Sequence, residues 1–198
     1  LGLGHSARQT GGAFSVLRSK LLLVNFALGL GFRQLGKFAQ QSAKIESMSM
    51  AFTTLSGGAG DASKSMRQLK EATNGTMSDF DLFQQANNAM ILGVSKNSHE
   101  MAEMFDIAQR LGRALGRDTA SSVESLITGI GRQSRLMLDN IGIIVKSEEA
   151  YEAYADKLKI TVDDLSDVDK KQAFLNATME SARQKVQTLG KETLTTQD

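Results

Sequence analysis

Apolar residues in this chain recur at three- and four-residue steps almost throughout, the spacing of helices with one buried face. From Ala13 to about Leu55 the pattern predicts one long helix. Leu17, Leu21, Val24, Leu28, Leu35, Phe38, Ile45 and Phe52 fall on alternating four- and three-residue steps, with Gly31, Ser42 and Ser49 on the same ladder. This is a heptad seam with three small positions. It serves either packing on its own domain or self-association. The wide apolar girth of Leu21–Phe32 favours self-association. Ser56-Gly57-Gly58-Ala59-Gly60 then breaks the pattern.

Beyond the break the predicted helices are short. The first covers about Ala62–Ala72 and stops at Asn74-Gly75. Ser78, with Asp81 three residues on, has capping-box spacing for the next, which ends at Gly93. Asn97 or Ser98 caps Glu100–Leu115, which Gly116 closes. Asp118 or Ser121 caps a helix whose inward face is Val123, Leu126, Ile127 and Ile130. Ser147, Glu148 and Glu149 open another through Lys157, and Ser166 with Asp169 opens the last, to about Leu189.

One stretch departs from this regularity: Leu126–Val145, LITGIGRQSRLMLDNIGIIV. Gly129 and Gly131 are predicted to form a sharp turn, at least one with positive φ, because glycine takes a left-handed backbone without steric cost. Gly142 marks a further turn before Ile143-Ile144-Val145. Lys159–Val162 reads as a second short strand beside Gly142–Val145. The expected fold is therefore mainly all-α. It comprises a linker (1–12), a long amphipathic self-association helix (13–56), a bundle of short helices (61–190) with this one minor two-stranded β element, and a polar tail (191–198).

Composition sharpens this. There is no proline in 198 residues, where a frequency of ~5% would give about ten; long uninterrupted helices are favoured. Cysteine is absent, which excludes disulfides and thiolate metal sites. A start at Leu1 and the tail Thr195–Asp198 read as a piece of a longer protein. The net charge is +1, but residues 1–45 hold Arg8, Arg18, Lys20, Arg33, Lys37 and Lys44 and no acid. That arm is +6, leaving −5 to the rest, and it suits an anionic partner or the body of a neighbouring copy.

Candidate chemistry is sparse. Gly31-Phe-Arg-Gln-Leu-Gly36-Lys37 matches seven positions of a phosphate loop, but Phe38 stands where a magnesium-holding hydroxyl belongs. Asp163, Asp164, Asp167 and Asp169 lack the glycine and glutamate of a calcium loop and read as helix-start acids. Arg110, Arg113 and Arg117 could touch phosphates, but acids flank them and they read as a solvated helix face. His99 sits beside Glu100 and Glu103, with Ser98 better used as a cap than as a nucleophile. The residues point to no enzyme, no cofactor and no metal. Leu21–Phe32 would rise only ~18 Å as a helix, short of the ~30 Å hydrocarbon core.

A series of phrases in order adds to this reading: Met50–Leu55 with its glycine break, Ala72-Thr-Asn-Gly-Thr-Met-Ser-Asp79, Ala86–Gly93, Leu126–Arg132 with Leu138–Gly142, Ala150–Tyr154 and Lys171–Ala177. From about Ile45 to Gln184 the chain resembles the tail tape measure proteins of long-tailed bacteriophages and prophages. The resemblance implies a helical structural protein in the lumen of the tail tube. It would set tail length during assembly in the host cytoplasm and leave with DNA at infection. Implied partners are further copies of itself, as a trimer, together with tube, tail-tip and baseplate proteins and assembly chaperones; DNA is only a neighbour in the tube. The alternative is a membrane-active segment, with the Ala13–Phe38 helices assembling a DNA-translocation channel in the host envelope.

Overall fold

The computed structural model describes residues 32–95 and 97–190. Among these residues the protein is all-α. Eight helices run in order: α1 (Phe32–Leu55), α2 (Ala59–Ala72), α3 (Asp79–Ile91), α4 (Ser98–Ala114), α5 (Thr119–Gly131), α6 (Arg135–Asp139), α7 (Ser147–Leu158) and α8 (Asp167–Leu189), with a 3₁₀ turn at Val162–Asp164. Contacts divide the chain into Leu1–Glu46 and Ser47–Asp198, inside α1 and not at the glycine break. In the second unit α4 packs on α2, α5 and α8, α5 also meets α3, α6 and α8, and α7 lies along α8.

Polar residues outside the apolar stripes start the helices. Ser78 Oγ accepts from the Asp81 amide at 3.2 Å and Asn97 Oδ1 from the Glu100 amide at 2.9 Å. Asp118 Oδ2 accepts from the Ser121 amide at 2.9 Å. Ser166 and Asp169 form the full reciprocal box, satisfying two otherwise orphan donors. The last helix also carries a cation at another helix's end: Lys171 Nζ donates to the Leu92 carbonyl at the close of α3, where the helix dipole favours positive charge.

Helix ends are equally regular. At α2, α3, α4, α5, α6 and α7 a left-handed residue is followed by an amide that reaches back five residues, for example Ser134 N to Gly129 O at 2.8 Å and Ile160 N to Ala155 O at 3.1 Å. This Schellman closure satisfies the last carbonyls. Gly93, Gly116 and Gly142 fill three of the left-handed positions, but Asn74, Gln133 and Lys159 fill the others. A non-glycine residue there bears a steric penalty. Lys159→Gly is therefore expected to stabilise the protein by about 1 kcal/mol, read as a higher urea midpoint. An unchanged midpoint would contradict the left-handed closure. Gln133→Gly should gain less, because Gln133 Oε1 accepts a 2.7 Å hydrogen bond from Tyr151 Oη.

Two expectations need correction. There is no strand among the described residues. Lys159 closes α7 with φ 59°, and Val162–Asp164 winds into a 3₁₀ turn because Thr161 and Asp164 cap each other. Residues 141–142 form the turn that closes α6, and 143–145 follow it outside any helix, with Ile141, Ile143 and Val145 buried and Ile144 exposed. They have no strand partner; the Ile144 carbonyl instead accepts from Ser181 Oγ at 3.3 Å.

The second correction concerns Gly129 and Gly131. Both lie inside α5 with right-handed backbone, and the left-handed residue is Gln133. Their requirement is steric. A Cβ on Gly129 would stand 2.6 Å from Leu138 Cδ2, and one on Gly131 2.6 Å from Leu92 Cδ1. The glycines let α6 fold back onto α5 and let Leu92 reach the helix backbone. Gly142 keeps its expected role, with φ 73° at the close of α6.

Candidate functional site

The sequence placed function on the α1 seam, so its residues come first. Leu17, Leu21, Val24 and Leu28 lie outside the described residues. Leu35 and Phe38 are on α1, whose helical backbone covers them. Ile45 is half-buried. Phe52 is 1% exposed and packs edge-on against Phe83, ring centroids 5.6 Å apart. It is a core residue of its own chain and has no surface left for another. Asn87 Nδ2 donates to the Met48 carbonyl at 2.9 Å, fixing the same turn of α1 to α3. Between Ser47 and Leu55 the seam thus serves internal packing, the first of its two readings.

The exposed side of α1 there is different in kind. Residues 47–55 contain no charge, and Met50 and Leu55 are exposed. Thr53 and Thr54 donate their hydroxyls to the carbonyls of Ser49 and Met50. The residues that resemble a phosphate loop fall on this helix from Phe32 onward. From Gly36 onward the amides of this helix bond to carbonyls four residues back and cannot cradle a phosphate.

The other candidates are absorbed locally. Asp164 and Asp169 cap the 3₁₀ turn and α8. The Thr161 hydroxyl, then its amide, hold the Asp164 carboxyl below the usual carboxylate range. Arg110 donates to the Gly190 carbonyl at 2.7 Å and approaches Asp106 at 3.8 Å. Among the described residues no three His, Asp or Glu side chains gather as metal ligands would.

A concave site does exist where sequence reading had placed none. α7, α8 and the first half of α4 enclose a groove of about 560 Å³. Small or flexible apolar residues line it: Ala150 and Ala153 from α7, Ala173, Ala177 and Met179 from α8, and Met104 from α4. The alanines follow helical spacing, so each wall is low, and the groove runs between helices instead of closing over. Tyr154, Lys157, Glu100, Glu103, Glu180 and Arg183 add the polar groups.

One ion pair dominates these groups. Arg183 Nε and a terminal Nη meet the two Glu103 oxygens at 2.7 and 3.0 Å, a bidentate fork joining α8 to α4. Such forks are stronger and more directional than single contacts. The hydrogen bond from Arg183 holds the Glu103 carboxyl below its ordinary 4.5, with the charges of Arg183 and His99 adding to it against partial burial. A carboxyl more acidic in the folded chain favours folding when ionised. Its contribution is complete above pH 4.5 and is lost as pH falls through its lower folded pKa. Glu103→Gln should therefore lower stability at neutral pH and flatten the decline on acidification. Urea midpoints of both chains across that range test this; parallel pH curves would contradict it. The effect should be small, since the pair is partly solvated.

No protein-family model and no solved structure matches this chain. The groove was illegible beforehand because its lining comes from α4, α7 and α8, and its alanines and methionines fit the helical pattern of ordinary core.

Proposed function

We propose that this chain is a segment of a bacteriophage or prophage tail tape measure protein, a structural protein of the virion tail without enzymatic activity. The observation that carries the reading is the ordered series of phrases between Ile45 and Gln184. The packing lends it support, because the phrases fall at joints of the fold. Thr73, Asn74 and Thr76 of the second phrase hold the buried Gln109. Asn87 of the third bonds α1. Gly129 and Leu138 of the fourth meet where α6 packs on α5 with no room for a side chain at Gly129. Lys171 and Phe174 of the last tie α8 to α3 and to the core. A likeness at these positions concerns a specific packing and not composition.

The same geometry limits how such a segment would measure length. As one straight helix, residues 59–190 would extend roughly 200 Å at 1.5 Å per residue. Here the longest helix after the break is Asp167–Leu189, 23 residues, or about 35 Å. The packed unit is a domain carried on the tape, not part of the ruler. In-frame removal of residues 59–190 from the longer protein should then shorten tails by far less than ~200 Å. Shortening by the full amount would contradict the domain reading, and unchanged tails from a phage whose virions never contain the segment would contradict the assignment.

The alternative role, a membrane-active segment, draws on the +6 arm and its apolar run Leu21–Phe32. No helix of the described residues is long and apolar enough to cross a membrane, and most of that run lies outside them. If it acts on membranes, the full chain should bind anionic vesicles in a salt-sensitive way.

A further inference from the structure

We propose that Asn74–Gly75 is a deamidation site that the folded turn keeps closed, with Gln109 as its latch. The inference does not depend on the tail assignment.

The turn that ends α2 selects this pair of residues. Asn74 at φ 48° and Gly75 at φ 69° are both left-handed. Glycine takes that backbone freely, and asparagine is among the few other residues that visit it. Asn-Gly occurs nowhere else in the sequence. The same pair is also the most prone to deamidate, because glycine has no Cβ to shield its nitrogen from the neighbouring amide side chain. In that reaction the Gly75 nitrogen gives up its proton to solvent base and attacks Asn74 Cγ. A C–N bond forms, the Cγ–Nδ2 bond breaks, and ammonia departs, leaving a five-membered succinimide. Water then opens either ring carbonyl to give aspartate or isoaspartate. Nothing is oxidised or reduced.

In the folded chain each reacting group is already engaged. Gly75 donates its amide to the Lys70 carbonyl at 2.9 Å, so the nitrogen is not free to turn towards Asn74 Cγ. The amides on either side, Asn74 to Glu71 O at 3.0 Å and Thr76 to Thr73 O at 2.9 Å, fix the backbone around it. The leaving nitrogen, Asn74 Nδ2, donates to Gln109 Oε1 at 3.1 Å. Gln109 is fully buried and donates in turn to the Thr73 carbonyl at 2.7 Å. Asn74 and Gly75 are themselves exposed, so base and water reach the pair once the turn opens. Conversion therefore follows the population of the opened turn, not of the wholly unfolded chain.

Conversion also prevents reclosing. A carboxylate at position 74 has no hydrogen to donate, so Gln109 Oε1 would face a second acceptor. Gln109 cannot exchange its two ends, because Nε2 already serves the Thr73 carbonyl. Isoaspartate adds a methylene to the backbone and moves the Gly75 amide away from the Lys70 carbonyl. The site thus marks, irreversibly, chains whose α2–α3 turn has opened.

The test is peptide mapping by mass spectrometry of the full chain held in mildly alkaline buffer, scoring aspartate and isoaspartate at position 74. Conversion should be at least ~10-fold slower in the folded chain than in the same chain unfolded in urea. Gln109→Leu and Phe174→Leu are then compared at urea concentrations that give both the same small unfolded fraction. Phe174 is a core residue of α8, which packs on α4, α5 and α7. Gln109→Leu should convert at least ~10-fold faster, because it alone releases the turn. A folded wild-type chain that converts as fast as the unfolded one would overturn the proposal, as would equal rates in the two variants. Asn74→Asp supplies one product directly. Its urea midpoint should fall at least as far as that of Asn74→Ala, which loses the same hydrogen bond, although aspartate suits the left-handed backbone better. A smaller fall would show that the turn recloses around the product and would overturn the latch.

Discussion

Gly112→Leu is expected to destabilise the protein by at least about 3 kcal/mol, more than an ordinary core substitution. Gly112 is buried on α4 where that helix crosses α5. A Cβ added there would lie 2.1 Å from Ser122 Oγ and 2.7 Å from Ser122 Cβ. Ser122 Oγ could turn away, but Ser122 Cβ is fixed to the α5 backbone and cannot. Ser122 is fully buried and its hydroxyl donates to the Asp118 carbonyl at 2.7 Å. The helices would have to separate, and both contribute to the same core. For a chain of this size the melting temperature should fall by roughly 6–12 °C. Gly112→Ala gives the cleaner measurement. Alanine gains about 1 kcal/mol in helix propensity, yet the clash should still leave a net loss. Ser122→Gly removes both clashing atoms, so the double variant should be more stable than the two single losses sum to, by about 1 kcal/mol or more. Strict additivity would show that the two helices do not touch there.

The second large effect should come from Gln109, a polar residue with no exposed surface. Its Nε2 donates to the Thr73 carbonyl at 2.7 Å, and its Oε1 accepts from Asn74 Nδ2 at 3.1 Å. Thr76 Oγ1 donates to the same Thr73 carbonyl at 2.6 Å and stands 3.0 Å from Thr119 Oγ1. One side chain of α4 thus holds the α2–α3 turn, and Thr76 of that turn joins it to the start of α5. Gln109→Leu keeps most of the volume and removes the bonds, leaving Asn74 and part of the turn without partners. Buried groups stripped of partners cost about 1–3 kcal/mol each, so a loss of about 2–4 kcal/mol is expected. The urea midpoint should move at constant slope. A midpoint shift within ~0.5 kcal/mol of wild type would show that the network contributes specificity and not stability.

These two positions show what the sequence discloses and what it hides. Apolar spacing located the helices because burial on one face leaves a periodic record, and the caps at Ser78 and Ser166 were readable because box partners lie three residues apart. Close approach leaves no such record. Gly112 sits in the last turn of α4 and looks like a weak point there until Ser122, ten residues on, is seen against it. Gly129 and Gly131 carried a real signal, but conformation and contact both select glycine, and contact was the cause here. Gln133 took the left-handed position instead, held in part by Tyr151. Phe52 fitted a heptad as well as it fits the core, since a 3.5-residue seam and a 3.6-residue face diverge little over a few turns. The 159–162 segment read as a strand from its β-branched residues, but the Thr161–Asp164 box is local and acts without a partner strand. The groove joins residues from α4, α7 and α8, a juxtaposition that no local pattern encodes.

The proposed role makes this segment a component of the virion tail. Purified virions of the phage or induced prophage that encodes it should be opened at the tail and probed with an antibody raised against residues 59–190. The assignment predicts the segment in every tail, in a fixed ratio to the tube protein, and released from the tube after DNA ejection. Finding it in infected cells while purified tails lack it would contradict the assignment.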